Sequence, residues 1–142
     1  MMDNRGRSSV LATGLLLVCS LSVVDSLPVQ TPVPAGVWGG KGLQLTITET
    51  GATLDFGCDS GSITEPLLAD ASGAFVTHGT HIFGVGGPQQ PGAPPRKQHK
   101  ARYEGVREGD TIRVTIMLVD LKRNVGSFTL VLGRPASLER CG

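Results

Sequence analysis

A two-residue alternation of apolar and polar side chains restarts after one turn after another along most of the chain beyond residue 36, and it constrains the fold more than any other feature. Leu43, Leu45 and Ile47 alternate with Gln44, Thr46 and Thr48, so a strand through them has one apolar face. Glu49-Thr50-Gly51 makes a tight turn. Leu54, Phe56 and Cys58 then continue on the buried parity, opposite Thr53, Asp55 and Gly57, which predicts a β-hairpin. Beyond Asp59-Ser60-Gly61, the residues Ile63, Leu67 and Leu68 supply a weaker strand interrupted by Pro66, which favours an edge or a bulge. Phe75, Thr77, Gly79, His81 and Phe83 share one face of the next strand, and Val76, His78, Thr80 and Ile82 share the other. A second hairpin places Ala101, Tyr103 and Gly105 before a Glu108-Gly109-Asp110 turn, with Ile112, Val114, Ile116 and Leu118 inward after it. Gly126, Phe128, Leu130 and Leu132 form a last strand that ends at Gly133-Arg134-Pro135.

This pattern predicts about seven or eight strands at spacings of about 8–12 residues, with no helical period beside them. The 20 glycines, 9 prolines and 39% hydrophobic content suit short strands joined by many turns better than a helical bundle. The fold class is all-β, in one domain over residues 36–142. A meander with one apolar face hides that face, and loses its edges, by curling into an up-and-down barrel of antiparallel strands. A sandwich is the alternative, but connections that look like successive hairpins favour the barrel. Trp38, set between glycines, is expected to plug one end of the core with its ring buried and its N–H near the rim.

Ahead of the barrel, Arg5 and Arg7 precede an apolar run from Val10 to Val24, the pattern of a signal peptide over residues 1–26 with cleavage near Ser26. The run falls short of the roughly 20 residues a spanning helix needs. No stable membrane span is expected after cleavage, and the chain is read as exported, periplasmic or secreted. An uncleaved anchor is one alternative. Lipidation of Cys19 is another, poorly served by the branched Val18 before it. Residues 27–35, LPVQTPVPA, read as an extended Pro-rich linker. With Cys19 removed, Cys58 and Cys141 are an even pair in an exported domain, which predicts a disulfide. Closing a loop of about 80 residues is worth roughly 4–5 kcal/mol at most.

The 13 basic and 12 acidic side chains leave a net charge of +1, which excludes the clustered basic face that nucleic acid requires. His78 and His81 lie on opposite faces of their strand and cannot share a metal ion, and His99 is expected to be solvated in a basic loop. There is no nucleophile elbow, no phosphate-cradling glycine motif and no cofactor motif, so no enzyme activity, metal or cofactor is expected. The most unusual segment is the loop at 84–100, which carries Pro88, Pro91, Pro94 and Pro95. It serves as a solvated connection, a lid over one barrel end, or a docking strip on which Arg96, Lys97 and Lys100 attract an acidic surface.

The order of motifs, GVWGGKGLQLTITETGATLDFGCDSGSI, GGPQQPGAPP, ARYEGVREGDTIRVTI and SFTLVLGRP with a terminal cysteine, resembles small exported bacterial β-barrel proteins of uncharacterised function, lipocalin-like in fold. The resemblance reinforces the Cys58–Cys141 bridge and the Pro/Gly-rich loop, and it brings no catalytic residues with it. The function expected is non-enzymatic binding of a small apolar molecule at one barrel end, where Trp38, Phe75, His81, Phe83 and Tyr103 line or cap the opening. Those residues fit a solid core equally well. A protein-interaction or inhibitor module acting through the 84–100 loop is the rival reading.

Overall fold

The computed structural model of the protein describes residues 14–20, 22, 28–85 and 90–141. The expected basic n-region, the cleavage position near Ser26 and Pro88 lie outside the described residues. Ten strands follow in chain order: β1 (Thr31–Pro32), β2 (Gly36–Gly40), β3 (Leu43–Ile47), β4 (Ala52–Asp55), β5 (Ser60–Ile63), β6 (Leu68–Ala69), β7 (Ala74–Ile82), β8 (His99–Glu108), β9 (Thr111–Leu118) and β10 (Arg123–Leu132). No helix occurs among the described residues.

Eight of the strands close into an antiparallel barrel in the order β2-β3-β4-β5-β7-β8-β9-β10, with β10 returning to β2. Neighbours in the barrel are neighbours in sequence except where β6 leaves the sheet, so the topology is the expected up-and-down meander. The closing seam is short. Only Val131 opposite Gly39 and Leu132 opposite Trp38 join β10 to β2, whereas β9 and β10 pair along almost their whole length, with a bulge between Asn124 and Gly126.

Alternation decides which side chains fill the interior. Leu43, Leu45, Ile47, Leu54, Ile63, Phe75, Tyr103, Ile112, Val114, Ile116, Leu118 and Leu130 are all buried, and each lies on the inward parity of its strand. Tyr103 is the largest group at mid-barrel besides Trp38, and two glycines leave room for it. A Cβ at Gly61 would stand 2.7 Å from the Tyr103 hydroxyl, and one at Gly79 would lie 3.1 Å from its ring. The hydroxyl donates to the Thr80 carbonyl at 2.7 Å, and burial pushes the phenol well above its ordinary pKa.

The segment GVWGG, which lies ahead of the first clear alternation, is itself a strand, β2, and Gly39 and Gly40 let other backbone come close: a Cβ on either would run into the Arg134 or Thr129 carbonyl. Three expectations need correction. The weak strand around Pro66 is two elements, β5 in the barrel and β6 outside it, since Pro66 cannot continue the ladder. The Pro-rich stretch is seated on the barrel rather than spanning free as a linker. Thr31 and Pro32 pair with Ala69 and Leu68, the Val33 N–H donates to the Leu67 carbonyl, and Val33 is buried. Finally, the long loop ends at residue 98, because His99 and Lys100 already belong to β8.

Candidate functional site

Strand direction sorts the connections between two ends. The turns at 41–42, 56–59 and 119–122 and the long loop from residue 83 to 98 all gather at one end, the mouth. The turns at 48–51 and 109–110 and the β5–β7 connection lie at the other. The chain after β10 returns to the mouth, where Ser137 bridges Lys41 and Cys141 bonds Cys58 with Cα atoms 4.8 Å apart. The expected disulfide is present. Its Cys58 backbone and sulfur pack directly against Gly84, where the long loop begins.

Both roots of that loop are held by a histidine and an aspartate. His81 and His99 sit opposite one another as the last register pair of β7 and β8. His81 is fully buried, its Nε2 lying 3.3 Å from Asp59 Oδ2, while Asp59 Oδ1 accepts the Gly84 N–H at 2.8 Å. The Nδ1 of His81 is buried with no partner among the described residues. An Nε2–H tautomer donating to Asp59 fits this best, because it leaves a bare lone pair rather than an orphaned N–H inside the protein. His99 Nδ1 at the start of β8 lies 2.8 Å from Oδ2 of Asp120, which belongs to the β9–β10 turn. His99 is therefore not solvated as its basic neighbours suggested. Inward parity at the start of β8 buries it.

Phe83 stands edge-on to both imidazoles, with centroids 5.2 Å from His81 and 5.2 Å from His99, and the Arg123 guanidinium lies 5.8 Å above its ring. Phe56 continues the chain of rings, 5.1 Å from His81 and 5.6 Å from Phe128. Phe56 and Phe128 were legible as inward-facing residues. Their joining into one aromatic floor with His81 depends on the barrel's closure.

The five residues expected to line one opening do not gather there. His81 and Phe83 are at the mouth, Trp38 and Tyr103 are at mid-barrel, and Phe75 lies near the far end opposite Gly105. Trp38 and His81 have no exposed surface, and Tyr103 keeps 1%. Surface that no water-sized sphere touches borders no ligand-sized space, so the barrel is filled around these three side chains. Trp38 is buried as expected but at mid-barrel rather than plugging one end, and its N–H donates to the Pro34 carbonyl at 3.0 Å.

Of the three basic residues assigned to the docking strip, Arg96 and Lys97 lie in the loop and are exposed, whereas Lys100 projects outward from β8. Ser60 and Ile82 of the barrel, with Val85, Ala93, Pro94 and Pro95 of the loop, line a groove of about 760 Å³. No three His, Cys, Asp or Glu side chains gather as a metal-binding set among the described residues. No described helix is long and apolar enough to cross a membrane.

The hydrogen bond from His99 holds the Asp120 carboxyl below the ordinary aspartate range, against a smaller opposing effect of burial. A carboxyl depressed by folding stabilises the native state above its unfolded pKa of about 3.9, and that contribution is lost as pH falls through the folded value. Asp120→Asn is therefore expected to flatten the acid limb of the urea-midpoint profile below about pH 4. An unchanged acid limb would show that the pair does not form in solution.

Fold and mouth together define the class: a closed, eight-stranded antiparallel barrel, filled at mid-barrel, with one long loop at its disulfide-tied end. No protein-family model, curated protein or solved structure matches the chain.

Proposed function

We propose that the protein is an exported, non-catalytic barrel that docks another protein through the loop between β7 and β8. The observation that carries this reading is the contrast between interior and mouth. The residues best suited to greet a ligand inside the barrel are packed shut, while the longest connection is clasped at both roots by the His81–Asp59 and His99–Asp120 pairs and exposes every described residue from Gln90 to Gln98. Long loops held on rigid scaffolds are where binding function concentrates. Export accords with the Cys58–Cys141 bridge, because cytosolic thiols are kept reduced. A catalytic role for the histidine at the mouth finds no support, since His81 has no surface from which to reach a substrate.

A photo-cross-linking side chain placed at Gln98 tests the docking role in the producing cell. We expect a discrete cross-linked species that disappears when residues 85–97 are replaced by a short turn, with the thermal midpoint of the barrel little changed. Persistence of the same species without the loop would overturn the reading. A second reading, a small apolar ligand, is favoured only by the groove beneath Pro94 and Pro95. Stoichiometric binding of an apolar fluorophore, abolished by Ile82→Lys, would support it.

A further inference from the structure

Within the loop, one short segment has a chemistry of its own. The Ala93 N–H donates to the Gln90 carbonyl at 3.2 Å, and Gly92 has φ +81°, so Gln90-Pro91-Gly92-Ala93 is a turn with proline and a left-handed glycine at its two centres, as a type II turn demands. From Ala93 to Gln98 the chain then runs without helix or strand, every side chain exposed. Pro94 and Pro95 lock their own φ angles, and each biases the residue before it toward extended backbone. Arg96 and Lys97 follow at once, and no carboxylate pairs with either among the described residues. Downstream, the segment is made fast within two residues by buried His99 and its bond to Asp120.

We propose that Ala93–Gln98 is a substrate-like bait for a secreted serine endopeptidase whose specificity pocket is floored by a carboxylate, with Arg96 entering that pocket. The proposal rests on the docking role of the loop and names the partner's chemistry. Such enzymes hold the substrate backbone extended and read one basic side chain with a buried carboxylate, and this segment offers an exposed Arg96 directly after two prolines that favour extended backbone ahead of it. Charge complementarity selects the pocket. The prolines lower the ordering cost of binding, because the segment already has few conformations to lose.

The reaction at stake is attack of the protease serine oxygen on the Arg96 carbonyl carbon, breaking the Arg96–Lys97 C–N bond. Lys97 leaves as an amine carrying the proton delivered by the protease's histidine, and water then releases the Arg96 carboxylate. In a free peptide the new amine diffuses away. Here it stays tethered to His99 and β8, at high effective concentration beside the acyl group, so the bond re-forms faster than water arrives and the protease stays occupied.

Trypsin is the probe. The disulfide-bonded mature protein is expected to inhibit it stoichiometrically, with at most one slow cut, at Arg96–Lys97, seen as a gain of one water in the intact mass. Arg96→Ala should weaken inhibition at least 100-fold and Lys97→Ala less than 10-fold, with the thermal midpoint unmoved in both. Rapid cleavage at Arg96 without inhibition would overturn the proposal, as would inhibition that survives Arg96→Ala. The cross-link at Gln98, measured on the same variants, separates the two levels. A retained loop-dependent cross-link with trypsin uninhibited removes the protease assignment alone, whereas loss of both removes the docking role as well.

Discussion

Trp38→Ala is expected to destabilise the protein by about 3–5 kcal/mol, the range for deleting a large aromatic side chain from a packed core. The indole is completely enclosed. It stands opposite Leu45 on one side and Leu132 on the other, at one of only two register pairs that close the barrel between β10 and β2. Removing it leaves a void at the weakest part of the ladder and also orphans the Pro34 carbonyl that its N–H satisfies. Trp38→Phe keeps a ring but no donor, and should fall between wild type and alanine. Urea unfolding measures both. If the alanine variant loses less than about 1 kcal/mol, the seam is not where the barrel's closure is secured.

Replacing Cys58 and Cys141 together by serine is expected to cost about 2–5 kcal/mol, as for native bridges in small secreted domains. The two cysteines are 83 positions apart, so the bridge restrains most of the domain in the unfolded state. The loss should be accompanied by a local change that stability alone does not report. Cys58 packs on Gly84, and the tail it captures touches the barrel at Gly40 and Gly42, where the Ser137 N–H donates to the Gly40 carbonyl and the Gly42 N–H to the Ser137 carbonyl. Hydrogen exchange should therefore rise at Gly42 and Gly84 before it rises at mid-barrel amides such as that of Tyr103. Uniform acceleration at all three would show that the bridge acts only on the unfolded chain.

Much of the barrel was legible because period-two patterning is a strictly local signal. From Leu43 to Ile47, from Phe75 to His81 and from Ile112 to Leu118, each side chain's face follows from its parity once one apolar face must be buried. The pairing of Cys58 with Cys141 was legible for a different reason: once Cys19 is set aside with the apolar N-terminal run, two cysteines are left and have one bridge to make. The candidate site was less readable. Phe83 and His81 were recognised as neighbours on one strand, but Phe56, Phe128 and His99 come to them from three other parts of the chain, and nothing in the spacing of those residues says that their strands end at the same rim.

His99 marks the boundary between the two kinds of information. Its neighbours Lys97, Gln98 and Lys100 describe a solvated loop, and only the register that sets it opposite His81 turns it inward and gives it Asp120. The amino-acid sequence by itself determined the fold class, the strands with clear alternation, their inward faces, the bridge and the long loop, because each is dictated by neighbours in the chain or by the pairing of two residues alone. Tertiary structure alone decided where β10 meets β2, that the Pro-rich segment docks beside β6, that Phe75 lies far from His81, and that the centre of the barrel is packed shut. Those outcomes depend on how eight strands stagger as they close, and stagger is set by packing across the whole barrel rather than by any one segment.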